Sequence, residues 1–195
     1  NGAVLHRPMR FDIHRLGALL DTIYAQRISH FIAAPTLLSL IEKLCRDRAD
    51  AFQSDGFEFI VSTSARLETD LWRKFEELFQ VRIANLYGLT ETVTGGLFCG
   101  PSDHNRRVGT VGKPIDCEAR IVNDAGEEVA ADEPGGLLLK GKNVMSGYIH
   151  APEATSRAIR DGWLHTGDIA LRDKDGFYTI VGRKKNLVVS GGLNI

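Results

Sequence analysis

The chain has 195 residues, 43% of them hydrophobic, and a formal net charge of −1. That is enough for one large domain or two small ones, each with its own core. A balanced charge supplies no basic face for nucleic acid, and no apolar run approaches the roughly 18 residues that a spanning helix needs.

The first half alternates helix and strand patterns. Residues 14–27, HRLGALLDTIYAQR, place apolar groups at 16, 19, 20, 23 and 24, which is helical spacing. Residues 28–34, ISHFIAA, read as a strand that runs into Pro35. Residues 36–46 return to helical spacing, with Thr36 as the expected N-cap. FEFIV at 57–61 is a strand, ETDLWRKFEELF at 68–79 an amphipathic helix, and VRIANLY at 81–87 the next strand. This alternation predicts a parallel sheet with right-handed crossovers.

After about residue 107 the pattern changes. Strand-like runs at 118–122, 136–141, 168–172 and 177–182 are joined by turns rich in Gly, Asp and Asn, the signature of antiparallel hairpins. One short helix, PEATSRAIR, interrupts them, with Pro152 at its first position. The expected fold class is α/β: a parallel-sheet layer with flanking helices, followed by a small antiparallel β-rich subdomain. Cys45, Cys99 and Cys117 lie far apart with no C-x-x-C, which predicts reduced thiols in a cytoplasmic protein. The chain starts at Asn1 and stops in a strand-like run, and is read as a piece of a longer protein.

In an open parallel sheet, ligands bind beyond the carboxyl ends of the strands. Three such exits stand out: Ala33-Ala34-Pro35-Thr36, Ser62-Thr63-Ser64-Ala65-Arg66, and Tyr87-Gly88-Leu89-Thr90-Glu91. Small residues at the first two let a flat group approach the backbone. The third offers an aromatic face, hydroxyls and a carboxylate. From the second half come Trp163-Leu164-His165-Thr166-Gly167-Asp168 and Gly182-Arg183-Lys184-Lys185. The DKDG hairpin between them is expected to bring Asp168 and Arg183 together. A carboxylate suits a vicinal diol such as ribose. Arginine suits ribose or phosphate oxygens, and a glutamate oxygen suits Mg²⁺ beside phosphates.

Three look-alikes fail on spacing. Gly109-Thr-Val-Gly112-Lys113 lacks the phosphate-loop pattern and reads as a strand with a turn. The DKDG run has Lys184 where a calcium loop needs Glu. The six histidines show no zinc-binding cluster, and His165 reads as filling space near the site.

YGLTET, GTVGKP, GGLLLKGKNVMSGY, GWLHTGD and GFYTIVGRKKNLVVSGG follow one another in the order found in adenylate-forming enzymes. The chain resembles that AMP-binding superfamily from roughly residue 28 to its last residue, and is most similar to acyl-CoA synthetases, including fatty-acyl and malonyl-type enzymes. The resemblance implies a ligase that uses ATP and Mg²⁺ to convert a small carboxylic acid to an acyl-adenylate, then passes the acyl group to coenzyme A. It places Tyr87 and Gly88 beside the adenine and the acyl group, Thr90 at the α-phosphate and Glu91 at Mg²⁺. Thr90 and Glu91 are thereby the catalytic residues. Asp168 is placed on the ribose hydroxyls with Arg183 beside it, Ile180 on the adenine, and Ser64, Ala65 and Arg66 on the other adenine face. Lys185 aligns with the hinge of a swinging C-terminal lid. The acyl pocket is assigned to Ile32, Ala33, Ala34, Ser62, Gly95 and Gly96.

The implied division is 1–106 for the α/β part, 107–182 for the β-rich subdomain and 183–195 for the hinge and the start of the lid. The family's Gly/Ser/Thr-rich phosphate loop and its adenylation lysine are absent from these residues, and Arg66 stands where relatives carry proline. Two alternatives accompany this reading: a peptide-synthetase-type domain that loads a carrier protein, and a non-catalytic nucleotide-binding or scaffold relative.

Overall fold

The computed structural model describes residues 3–7, 12–93, 95–184, 189–190 and 193–194. A 3-10 turn at Ile13–Arg15 leads into α1 (Leu16–Ala25), which buries Leu16, Leu20 and Ile23. Tyr24, on the same predicted stripe, is 51% exposed. β1 (His30–Ala33) follows, then α2 (Pro35–Leu44). This helix starts two residues earlier than a Thr36 cap would have it: Pro35 occupies its first position and Ala34 is the N-cap. Proline's fixed φ is already helical and its missing N–H is not needed there, so Thr36 has no capping role.

β2 (Phe59–Ser62), α3 (Thr69–Phe79) and β3 (Ile83–Tyr87) complete the predicted alternation. The first three strands are parallel and in register, with Ala33 beside Ser62 and Ser62 beside Asn85. Their carboxyl ends are therefore abreast. β4 (Leu97–Cys99) and β5 (Lys113–Pro114) extend the same sheet in antiparallel fashion, giving the order β1-β2-β3-β4-β5. The turn before β5 requires glycine. Gly112 has φ +79°, and a Cβ there would lie 2.0 Å from the carbonyl oxygen of Phe98.

One face of this sheet and the helices bury the larger core. Trp72, Phe75 and Phe79 of α3 are fully enclosed. Phe52 lies among them, its ring 5.5 Å from that of Phe79 and 5.9 Å from that of Phe75. Phe52 belongs to a 3-10 segment at Arg46–Phe52 that connects α2 to the next strand.

The second sheet has the order β10-β9-β7-β6, built from β6 (Cys117–Val122), β7 (Gly135–Gly141), β9 (Trp163–Arg172) and β10 (Tyr178–Arg183). α4 (Pro152–Ala158) and β8 (Ile159–Arg160) lie between β7 and β9. β9 is ten residues long, twice the predicted run, so the whole stretch from Trp163 to Asp168 is strand rather than loop. It alternates: Leu164, Thr166, Asp168 and Ala170 are buried, and His165 and Gly167 face out. His165 is thus exposed and fills no space, since a strand's period of two assigns it to the outer face. β11 (Val189–Ser190) and β12 (Leu193–Asn194) form a separate ribbon.

The smaller core joins the two sheets. Leu97 of the first sheet packs with Ile121, Leu137, Leu139, Ala170 and Tyr178 of the second, and Tyr87 and Ile180 lie against the same cluster.

Candidate functional site

The smaller core carries Tyr87, at the end of β3, over to β9. The Tyr87 hydroxyl donates to Asp168 Oδ2 at 2.5 Å. The other oxygen of the same carboxylate, Oδ1, lies 2.9 Å from Arg183 Nε. The hairpin brings Arg183 opposite Asp168, as expected, through a register shift between Ile180 and Gly182 that turns the end of β10 toward the site. The Thr166 hydroxyl, which donates to the carbonyl of Leu137, accepts from the backbone N–H of Asp168 and locks the strand there.

Burial pushes the Asp168 carboxyl above its usual range, against the Tyr87 hydrogen bond and the Arg183 charge, which both favour the ionised form. Tyr87 moves the same way. Burial and then the Asp168 charge push its phenol far up, so it stays protonated and is the donor of the pair. Among the described residues each Asp168 oxygen is engaged once, and a carboxylate oxygen has a second lone pair to offer a ligand hydroxyl.

The stretch after β3 forms a 3-10 turn at Thr90–Thr92. Its closing group is Thr92, whose buried hydroxyl accepts from the backbone N–H of Leu89 at 2.9 Å and donates to the Leu89 carbonyl at 3.1 Å. That leaves Thr90 exposed and Glu91 half-buried without a capping task. The Glu91 carboxylate accepts one hydrogen bond, from the Tyr148 hydroxyl to Oε1 at 2.6 Å. Among the described residues no Lys, Arg or His pairs with it. Val93 ends the turn at φ +51°, a left-handed conformation that a β-branched residue adopts only under strain.

The β2 exit is strained in the same way, with Ser64 at φ +73° and exposed. Ala65 is half-buried beside it. Arg66 extends into solvent, 65% exposed, with Nε 3.4 Å from Glu68. Gly88 and Ile180 are half-buried.

The six residues assigned to an acyl pocket do not share a wall. Ile32 and Ala33 are neighbours on a strand and face opposite ways: Ile32 is 65% exposed, while Ala33 is 3% exposed within the helix-covered core. Ser62, beside Ala33 in register, is fully buried on that same side, and its hydroxyl has no partner among the described residues. Ala34 and Gly95 remain half-accessible. Gly96 is buried, and a Cβ there would approach Leu139 to 3.1 Å and the Tyr87 carbonyl to 3.3 Å. Lys185 lies outside the described residues.

Two contacts of the site have no local sequence signal. The Tyr87–Asp168 bond spans 81 positions and the Tyr148–Glu91 bond spans 57.

The AMP-binding enzyme family matches residues 1–149. The sulfoacetate–CoA ligase of Cupriavidus necator is 39% identical over all of this chain, and a feruloyl-CoA synthase of Amycolatopsis is 32% identical over 92% of it. The chain spans 37% and 36% of the lengths of those two relatives. Among solved structures, an anthranilate CoA ligase, AuaEII, in complex with anthranoyl-AMP matches 95% of the chain with a TM-score of 0.79 at 30% identity. ATP-bound MatB from Rhodopseudomonas palustris matches 95% with a TM-score of 0.80 at 30% identity. The chain covers 35% and 36% of those two structures. It belongs to the AMP-binding, adenylate-forming enzyme family, among relatives that include many CoA ligases.

Proposed function

We propose that this chain is the nucleotide-holding part of an ATP-dependent acid–thiol ligase, which activates a carboxylic acid as its adenylate and transfers the acyl group to coenzyme A. The observation that carries the reading is the convergence of Tyr87 and Arg183, at the ends of β3 and β10, on Asp168 in the middle of β9, three strands from two sheets.

In this reading the buried Asp168 carboxylate accepts from the two ribose hydroxyls, held in place by Tyr87 and Arg183. The adenine lies between Ile180 and the backbone of Ser64, Ala65 and Gly88. Arg66, exposed and next to Glu68, stays at the margin of the adenine site. Thr90 donates to the α-phosphate. The donor set at Glu91 fits Mg²⁺: it is a hard oxygen carboxylate with one oxygen outside the Tyr148 bond, and this cation commonly takes one or two carboxylates beside phosphates and water. When bound, the cation neutralises phosphate charge. The acid lies against Ala34 and Gly95, with Ala33 and Ser62 behind that surface. Segments 1–106, 107–182 and 183–195 correspond to the α/β part, the β-rich subdomain and the start of a lid hinged at Lys185.

The test is pyrophosphate exchange by the full-length protein across short, long and aromatic acids, followed by thioester formation with coenzyme A. Exchange with one class of acid and transfer to coenzyme A is the expected result. Transfer to a carrier protein alone would move the chain to the peptide-synthetase type. Calorimetry that finds no AMP binding would leave only the scaffold role.

A further inference from the structure

The loop from Lys142 to Ala151, between β7 and α4, touches the Glu91 segment three times. The Asn143 amide donates to the carbonyl of Gly95 at 2.9 Å. The backbone N–H of Met145 donates to the carbonyl of Glu91 at 2.8 Å. The Tyr148 hydroxyl reaches the Glu91 carboxylate itself. The first two contacts hold the main chain of the turn, and the third holds the functional group.

Tyr148 is itself anchored. Its backbone N–H donates to the Thr155 hydroxyl of α4 at 2.8 Å, and that hydroxyl donates to the carbonyl of Ala151. Gly147 makes the anchor possible, since a Cβ there would meet the Thr155 methyl at 2.8 Å. Thr155, Tyr148 and Glu91 thus form one chain of contacts from α4 to the end of the first sheet.

We propose that Tyr148 is a positioning residue for the reaction: its hydroxyl aims the Glu91 carboxylate at the divalent cation that accompanies the nucleotide. The inference rests on the reading of Glu91 as the metal carboxylate. Two features support it. Tyr148 is 39% exposed, so it contributes little to either core and its hydroxyl has a single protein partner among the described residues. A carboxylate offers about four lone-pair sites, and Tyr148 uses one on Oε1, leaving Oε2 for a cation. Without the phenol, Glu91 hangs from a strained turn with no side-chain partner, and its rotamer freedom returns.

The experiment measures Mn²⁺ binding to the full-length protein in the presence of ATP by electron paramagnetic resonance, comparing wild type, Glu91→Gln, Tyr148→Phe and Thr155→Val. Loss of a group that orients a metal ligand costs about 10-fold or more in metal affinity. Tyr148→Phe should weaken Mn²⁺ by about that factor, with metal-free AMP affinity and the thermal midpoint unchanged. Thr155→Val, which frees the Tyr148 backbone while leaving its hydroxyl, should give a smaller loss in the same direction and serves as the test if Tyr148→Phe fails to fold. Weakened Mn²⁺ binding in Glu91→Gln together with wild-type or tighter binding in Tyr148→Phe overturns the inference alone. Unchanged binding in Glu91→Gln overturns the metal reading of Glu91 and the inference with it.

Discussion

At Asp168, burial raises the carboxyl pKa although a phenol and a guanidinium both favour its charged form. A raised folded-state value means that this group contributes stability below the ordinary carboxylate range, and the contribution is lost as pH rises through the raised value. Nucleotide binding in the proposed reading has the opposite sign, because only the ionised carboxylate accepts from both ribose hydroxyls. AMP affinity of the full-length protein should therefore fall on acidification at a higher pH than for an unperturbed carboxylate. Hydrogen bonds to a charged acceptor are each worth about 1.5–3 kcal/mol, so Asp168→Asn should cost about 10- to 100-fold in AMP affinity and abolish that part of the pH dependence. Calorimetry across pH checks both, and an Asp168→Asn protein that binds AMP like wild type would remove Asp168 from the site.

The elements that carry the site are tied together by ionic contacts as well as by packing. Glu76 of α3 accepts from Arg106 on both oxygens at 2.6 and 2.5 Å, from the Trp72 indole at 3.0 Å and from the backbone N–H of Ile83 at 2.6 Å. Arg106 also donates to the Ile83 carbonyl and lies 5.3 Å from the Trp72 ring centre. Helix, strand start and returning loop are thus held by one largely buried pair, with Arg106 9% exposed and Glu76 19%. Removing one partner of such a pair leaves a buried charge uncompensated. Glu76→Ala should destabilise the protein by about 3–5 kcal/mol, read as a shift in the denaturation midpoint, far more than truncating an exposed pair such as Arg157–Glu153. The carboxylates of the DKDG turn are engaged in a comparable way, since Arg107 pairs with Asp173 and Asp175 while stacking on Phe177. That turn holds the β9–β10 hairpin and through it the Asp168–Arg183 register.

On the scale of the whole molecule, the site lies where two sheets meet, and the chain spans about a third of the relatives it matches. In the proposed reading the phosphate loop and the adenylation lysine are not among these 195 residues, and electrostatic stabilisation is usually the largest catalytic term. The isolated chain should therefore support no acid-dependent ATP–pyrophosphate exchange, and robust exchange by it would overturn that division of labour. Much of the architecture was legible in one dimension. The helical stripe of Trp72, Phe75 and Phe79, the alternation through β1 to β3, and the turn residues of the second half each follow from local periodicity and backbone preference, which act over a few residues. The hairpin meeting of Asp168 and Arg183 was legible to within one residue, because a tight turn fixes the register as far as Ile180 and the bulge before Gly182 then shifts it by one. Local pattern could not assign the sides. Ile32 was grouped with Ala33 and Ser62 in one pocket, whereas pleating turns Ile32 to the opposite face from those two, and His165 was left to fill space where the long strand β9 turns it outward. Nor could it find the partners of Tyr87 and Glu91, since a hydroxyl 57 or 81 positions away is selected only by how the sheets pack. The sequence by itself determined the elements, the family and the chemistry of the groups. The tertiary structure alone decided which groups meet across the two sheets, because those contacts are set by the core the sheets share and by no interaction that neighbouring residues make.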